Sequence, residues 1–229
     1  MTHVLGRDGD RGPTAALGSF LARDGSAGAD VALDLDGPHV GLLAGKRGSG
    51  KSYTLGVIAE GIAAANGVTG VIVDPMGVYE GLAAGAAATV VDQPTVAAGA
   101  LDPRDWPPLF DLDPTSAAGS LLWQVAGTAS TLDGMMAALE DVDATAAARR
   151  AVRNHLHLAD SWDVFDPDGL SAEQLLAPEV TVLDATQLSD EALGVVTAAV
   201  AGSLYRTAAA TEIPRLPWVL IDEAQAVLD

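Results

Sequence analysis

The apolar run His39-Val40-Gly41-Leu42-Leu43-Ala44 leads directly into Gly45-Lys46-Arg47-Gly48-Ser49-Gly50-Lys51-Ser52. The run has the composition of a buried parallel strand, and the octapeptide fits G-x-x-x-x-G-K-[ST]. Glycines let successive backbone N–H groups turn inward around a polyphosphate, and the helix that follows aims its positive N-terminal end at the anion. In such a loop Lys51 reaches the β- and γ-phosphates and the Ser52 hydroxyl ligates Mg²⁺. Gly45, Lys46, Arg47, Gly48, Ser49, Gly50, Lys51, Ser52 and the adjoining Tyr53 are therefore the candidate nucleotide-binding residues. A flexible Gly-rich turn matches the same pattern, so the flanking sequence has to separate the two.

It does so on both sides. Leu55, Ile58, Ala59, Ile62 and Ala63 fall at helical spacing within Ser52 to Asn66, and Asn66-Gly67 supplies a stop. Val71-Ile72-Val73-Asp74 is a second buried strand, ended by Pro75. Strand, helix and strand in this order make a βαβ unit with a right-handed parallel crossover. The chain has only two lysines, Lys46 and Lys51, and both lie in this loop.

Further along, Thr89-Val90-Val91, Val180-Thr181-Val182-Leu183-Asp184 and Pro217-Trp218-Val219-Leu220-Ile221-Asp222 read as strands, and Asp190 to Ala210 as a long helix. The expected fold is α/β: a mainly parallel P-loop NTPase sheet of the RecA type, flanked by helices. Residues 1–36 are expected to be a short lead-in with one or two edge strands, and 37–229 the ATPase domain. A helical insertion is expected at about 115–177, after a proline-rich loop at 102–114. Within it Arg149, Arg150 and Arg153 form a basic cluster, open to phosphate, to a neighbouring subunit or to salt bridges along its own helix. His155 and His157, two apart on a helix, point to different sides and make poor metal ligands. Met135-Met136 reads as core.

Asp222-Glu223 ends a wholly apolar strand, which places the pair at the C-terminal edge of a parallel sheet, where ligands bind in open α/β folds. An acid there can hold the Mg²⁺ hydration shell, and the next residue can polarise an attacking water.

Composition bounds the rest. In 229 residues there is no cysteine, which excludes disulfide scaffolds and thiol nucleophiles. No uninterrupted apolar run approaches the roughly 18–20 residues of a membrane span, and the first twenty residues lack the apolar core of a secretory signal. A soluble, cytoplasmic protein with no membrane partner is expected. Lys+Arg 12 against Asp+Glu 31 gives a net charge of −19, with a pI near 4.2. Abundant Asp with scarce Lys is similar to proteins adapted to molar salt, where the Debye length falls to about 3 Å and self-repulsion is screened. In dilute buffer such a charge argues against DNA, but in molar salt that argument loses force.

The loop GKRGSGKS at 45–52, VIVDPMGVY at 71–79, VTVLDATQLSDEALGVVTAAVAGSLY at 180–205 and WVLIDEAQ at 218–225 together resemble the HerA/FtsK superfamily of DNA-translocating ATPases, most closely its HerA-like branch. The likeness covers about residues 31–229, and His39 fits that branch too. It implies that Lys51 and Ser52 bind ATP phosphate and Mg²⁺, that Asp222 coordinates the ion, and that Glu223 is the catalytic base. Gln225 is implied as a sensor of γ-phosphate or polynucleotide, or else a solvated side chain. Partners implied are double-stranded DNA, a homo-oligomeric ring (a hexamer) and a nuclease. Two departures stand out. Val78 replaces an acid in the family's usual DPHGEY, and 36 residues leave no room for the N-terminal barrel of HerA proteins. In RecA-like sheets a sensor strand, followed by an arginine finger, comes after the DEA strand and inserts between it and the P-loop strand. The sequence ends at Asp229, so the chain is expected to be a fragment or a truncated homologue. Other readings are a nucleotide-binding module without turnover and a small-molecule P-loop phosphotransferase.

Overall fold

The computed structural model describes residues 2–7, 11–85 and 88–227. Its elements are β1 (Thr2–Leu5), β2 (Thr14–Leu21), β3 (Ala27–Asp34), α1 (Lys51–Ala64), β4 (Val68–Asp74), α2 (Leu82–Gly85) and β5 (Ala88–Asp92). There follow α3 (Ala117–Ala126), α4 (Leu132–Asp141), α5 (Ala146–Asp160), α6 (Ala172–Leu175), β6 (Val180–Asp184), α7 (Asp190–Ala210) and β7 (Leu216–Ile221). They divide into two compact units. One comprises Met1–Asp92, Leu175–Thr186 and Glu212–Asp222, and the other Gln93–Gln174, Gln187–Thr211 and Glu223–Asp229.

The first unit holds a parallel sheet in the order β5-β6-β4-β7. Its central strand β4 is buried along its whole length, which explains why its sequence is a continuous run of small and β-branched residues. α1 packs Ile58, Ala59 and Ile62 against Val68, Ile72, Val180, Val182 and Leu220 of this sheet. The other side of α1 meets β2, and Ala15 and Leu35 complete the same core. α1 thus lies between the parallel sheet and a second, three-stranded sheet of order β1-β3-β2. Residues 1–36, read as a lead-in with one or two edge strands, supply three among the described residues.

One expectation is overturned. The run His39–Ala44 forms no strand. Val40 and Leu42 are exposed (104% and 83%), against the buried position expected for them. The physical reason lies in the sheet's edge. Among the described residues β7 pairs only with β4, so no strand stands on its far side to carry the hydrogen-bond ladder outward. A run of apolar residues becomes a strand only where a neighbour accepts its backbone groups. The crossover read from 39–44 through α1 to β4 accordingly has its helix and second strand in place and its first strand absent from the sheet.

In the second unit α3, α4 and α5 pack on one another, burying Leu122, Val125, Met135, Leu139, Val152 and Leu156. Their N-caps are Ser116, Thr131 and Thr145, each accepting the N–H three residues on. The basic cluster resolves into local pairing: Arg153 bonds Glu140, and Arg149 Nη2 donates to the Val142 carbonyl (2.8 Å). His155 lies against Phe110, with ring centroids 4.7 Å apart. α7 is long and apolar enough to cross a membrane by length and composition, and eight of its residues, from Ala192 to Leu204, are buried.

Candidate functional site

All four strands of the parallel sheet run the same way, so their C-terminal ends share one rim. The register sets Asp74 opposite Asp184, and Val73 opposite Ile221. Asp222, one residue beyond β7, is 7% exposed and its N–H donates to the Val73 carbonyl (3.3 Å). The rim thus carries Asp74, Asp184 and Asp222.

The loop before α1 folds as a compact turn. Ser49 N–H donates to the Lys46 carbonyl (3.1 Å), and Lys51 Nζ reaches back to the Gly45 carbonyl (3.2 Å). Gly48 and Gly50 have φ of 78° and 90°, the left-handed region that side chains disfavour. Lys46, Arg47 and Tyr53 are exposed, whereas Lys51 and Ser52 are half-buried. α1 differs from α3, α4, α5 and α7, whose first turns are capped by Ser or Thr side chains. Its N-cap is Gly50, with no side-chain cap and no acid in the first turn. No side chain caps the first amides of α1, an arrangement that suits an anion at the positive end of the helix dipole.

Asp74 organises the turn that follows β4. Its fully buried carboxylate accepts from the backbone N–H of Met76 (3.2 Å), Val78 (3.1 Å) and Tyr79 (2.9 Å). Val78, where the resembled family carries an acid, is an exposed apolar residue (55%), so no carboxylate stands there. Tyr79 is delivered inward. Its hydroxyl lies 2.9 Å from Asp222 Oδ2 and 3.2 Å from the Ser52 carbonyl. Burial, then the bond to Asp222, pushes the phenol well above its ordinary range. A cleft of about 290 Å³ opens beside this contact, lined by Ser52, Tyr53, Gly56, Val57, Tyr79 and Leu82 among others.

The segment entering the loop is held at its start. His39 Nε2 and Asp34 Oδ2 are 2.8 Å apart, Arg7 Nη1 is 2.7 Å from Asp34 Oδ1, and the His39 ring lies 5.9 Å from that of Trp218.

Of the residues singled out from the sequence, Ser52 and Asp222 come together through Tyr79. Glu223, next in the chain, adopts a left-handed backbone (φ 49°) rare for a non-glycine residue, and accepts a hydrogen bond from the Gln225 amide. Asp74 and Tyr79 went unassigned in the sequence. An Asp-Pro with a glycine two residues on is legible as a turn, but nothing local shows what the tyrosine at its end will touch.

The donors fit the groups such a site implies. Ser52 offers a hydroxyl and Asp222 a carboxylate, the hard oxygen donors Mg²⁺ takes, and the uncapped α1 N-terminus suits phosphate. A glycine-rich loop feeding an uncapped helix, beside acids on the rim of a parallel sheet, defines a P-loop NTPase. Residues 15–148, more than half of the chain, match the family described as the helicase HerA central domain. The chain belongs to that family, which is one of P-loop ATPase motors. The matched stretch starts in β2 and stops in α5, so β6 and β7 lie beyond it. No curated protein matches the chain.

Proposed function

We propose that the chain binds Mg²⁺-ATP and hydrolyses it as a cytoplasmic DNA-translocating or helicase motor, working on double-stranded DNA within a homo-oligomeric ring. The observation that carries this reading is the shared hydroxyl of Tyr79, which brings the first turn of α1 and the acid ending β7 within reach of one group. Lys51 would neutralise β- and γ-phosphate charge, and Gly45 to Ser52 would cradle the polyphosphate through backbone N–H groups. Ser52 and Asp222 would hold Mg²⁺, which neutralises charge developing on the phosphate oxygens. Glu223 would take the proton of a water whose oxygen bonds to the γ-phosphorus as the β–γ bridging bond breaks, ADP leaving.

Phosphate release in molar KCl, with and without duplex DNA, tests the proposal. Lys51→Ala should abolish nucleotide binding or turnover, whereas Glu223→Gln should still bind ATP while its hydrolysis falls by about a hundredfold or more. Undiminished turnover in Glu223→Gln removes the assignment of the base. One observation favours a second reading, a nucleotide-binding module without turnover. The run at 39–44, which should anchor the loop to the sheet, has no strand partner. ATP binding without phosphate release, with or without DNA, would identify it.

A further inference from the structure

The phenol of Tyr79 is held at three points. Its backbone N–H donates to Asp74 Oδ2 (2.9 Å), its ring is buried in the core that contains Ile58, Ile72 and Leu220, and its hydroxyl meets Asp222 and the Ser52 carbonyl. A phenylalanine would fill the same apolar volume. A hydroxyl in a buried position costs free energy unless it is bonded, so the polar atom is accounted for by its partners and not by packing. A phenol has a single proton for these two acceptors, and the charged carboxylate forms the stronger bond. The bond fixes one oxygen of the Asp222 carboxylate relative to the backbone of Ser52.

We propose that Tyr79 is a positioning residue: its hydroxyl orients the Asp222 carboxylate against the first turn of α1, so that Asp222 and the Ser52 hydroxyl present a preset pair of oxygens to a divalent cation. This rests on the reading of Ser52 and Asp222 as the metal-holding pair. Partners that orient metal ligands typically matter by 10–100-fold in metal affinity.

The test compares the full chain with Tyr79→Phe, measuring affinity for a fluorescent ATP analogue once with Mg²⁺ and once with excess EDTA. The expected result is an unchanged affinity in EDTA and an Mg²⁺-dependent gain reduced by about tenfold or more. Asp222→Asn should show the same loss, and the double variant no further loss beyond Asp222→Asn alone. Bound Mn²⁺ seen by electron paramagnetic resonance should be weakened in parallel, with the melting temperature little changed. If Tyr79→Phe does not fold, Asp74→Asn takes its place, since it loosens the grip on Tyr79 while keeping ring and hydroxyl, and the same selective loss is expected. A Tyr79→Phe protein that keeps the full Mg²⁺-dependent gain, or that loses affinity equally with and without the ion, overturns the proposal while leaving the nucleotide site standing. A parent chain that binds no nucleotide under either condition overturns the site itself, and this role with it.

Discussion

Asp34 gathers three partners into a buried corner: the Asp36 backbone N–H at 3.1 Å, His39 at 2.8 Å and Arg7 at 2.7 Å. Burial by itself would raise its carboxyl, but these partners outweigh it and hold the group below its ordinary 3.8. A carboxyl depressed in the folded state contributes stability that is fully present above the unfolded value, and loses it as pH falls through the lower, folded one. Below pH 3.8, then, the parent protein should lose urea resistance more steeply than Asp34→Asn, which has no proton to gain there. Parallel midpoints for the two proteins from pH 6 downward would show that the corner contributes nothing through charge. The residues of the site were unequally legible. Lys51, Ser52 and Asp222 announce themselves because their neighbours in sequence define what they do. Tyr79 does not, since its partner Asp222 is 143 residues away and only the folded sheet brings them together. For the same reason Asp74 reads only as the end of a strand, and its delivery of Tyr79 to the rim is visible only in three dimensions.

Among the elements, α1 is the one on which the first unit turns, because it is packed on both sides. Where it meets β2 it carries Gly61, and a Cβ built there would stand 2.8 Å from the Ala15 Cα, a backbone atom that cannot step aside. Alanine in a helix interior is worth about 1 kcal/mol over glycine, whereas overpacking costs about 1–3 kcal/mol. Gly61→Ala should therefore be destabilising by up to about 2 kcal/mol, read as a lowered denaturant midpoint with an unchanged slope. A more stable Gly61→Ala would mean that β2 does not lie tightly on α1. The strands differ in the same way the residues do. β4 and β6 were legible because a strand enclosed in a parallel sheet must be apolar along its length, β7 was legible from its apolar run although among the described residues it pairs only with β4, and α1 was legible from its helical spacing. The run at 39–44 has the same composition, yet its residues lie exposed, because composition records what a strand needs and not whether a neighbour is there to supply it. β1, β2 and β3 carry the reverse lesson: they are largely exposed, Gly-rich in part and irregular in register at Ala16/Gly18 and Ser19/Leu21, so their alternation is too weak to read.

Over the whole molecule, the largest imbalance is one of charge. With 31 acids against 12 Lys and Arg, nineteen carboxylates can have no such cation of their own. Part of the preference for Asp has a local cause. Asp24, Asp34, Asp74, Asp102, Asp113, Asp166 and Asp184 each accept the backbone N–H two residues on, a turn that the longer Glu side chain does not close. Turn chemistry explains where these acids sit but not why so few bases offset them, and self-repulsion of this size destabilises a compact state unless it is screened. Raising KCl from about 0.1 M to 1 M shortens the Debye length from about 10 Å to 3 Å. If repulsion is what opposes folding, the melting temperature at pH 7 should climb through that range, by about 4–8 °C for a gain of about 2 kcal/mol, and most of the rise should come at the low end. The salting-out of apolar surface also stabilises proteins, but it does not depend on net charge. The same KCl series near pH 4.2, where the net charge vanishes, separates the two. There the melting temperature should hardly respond to salt, and an equal rise at both pH values would assign the effect to apolar hydration and remove the argument for adaptation to high salt.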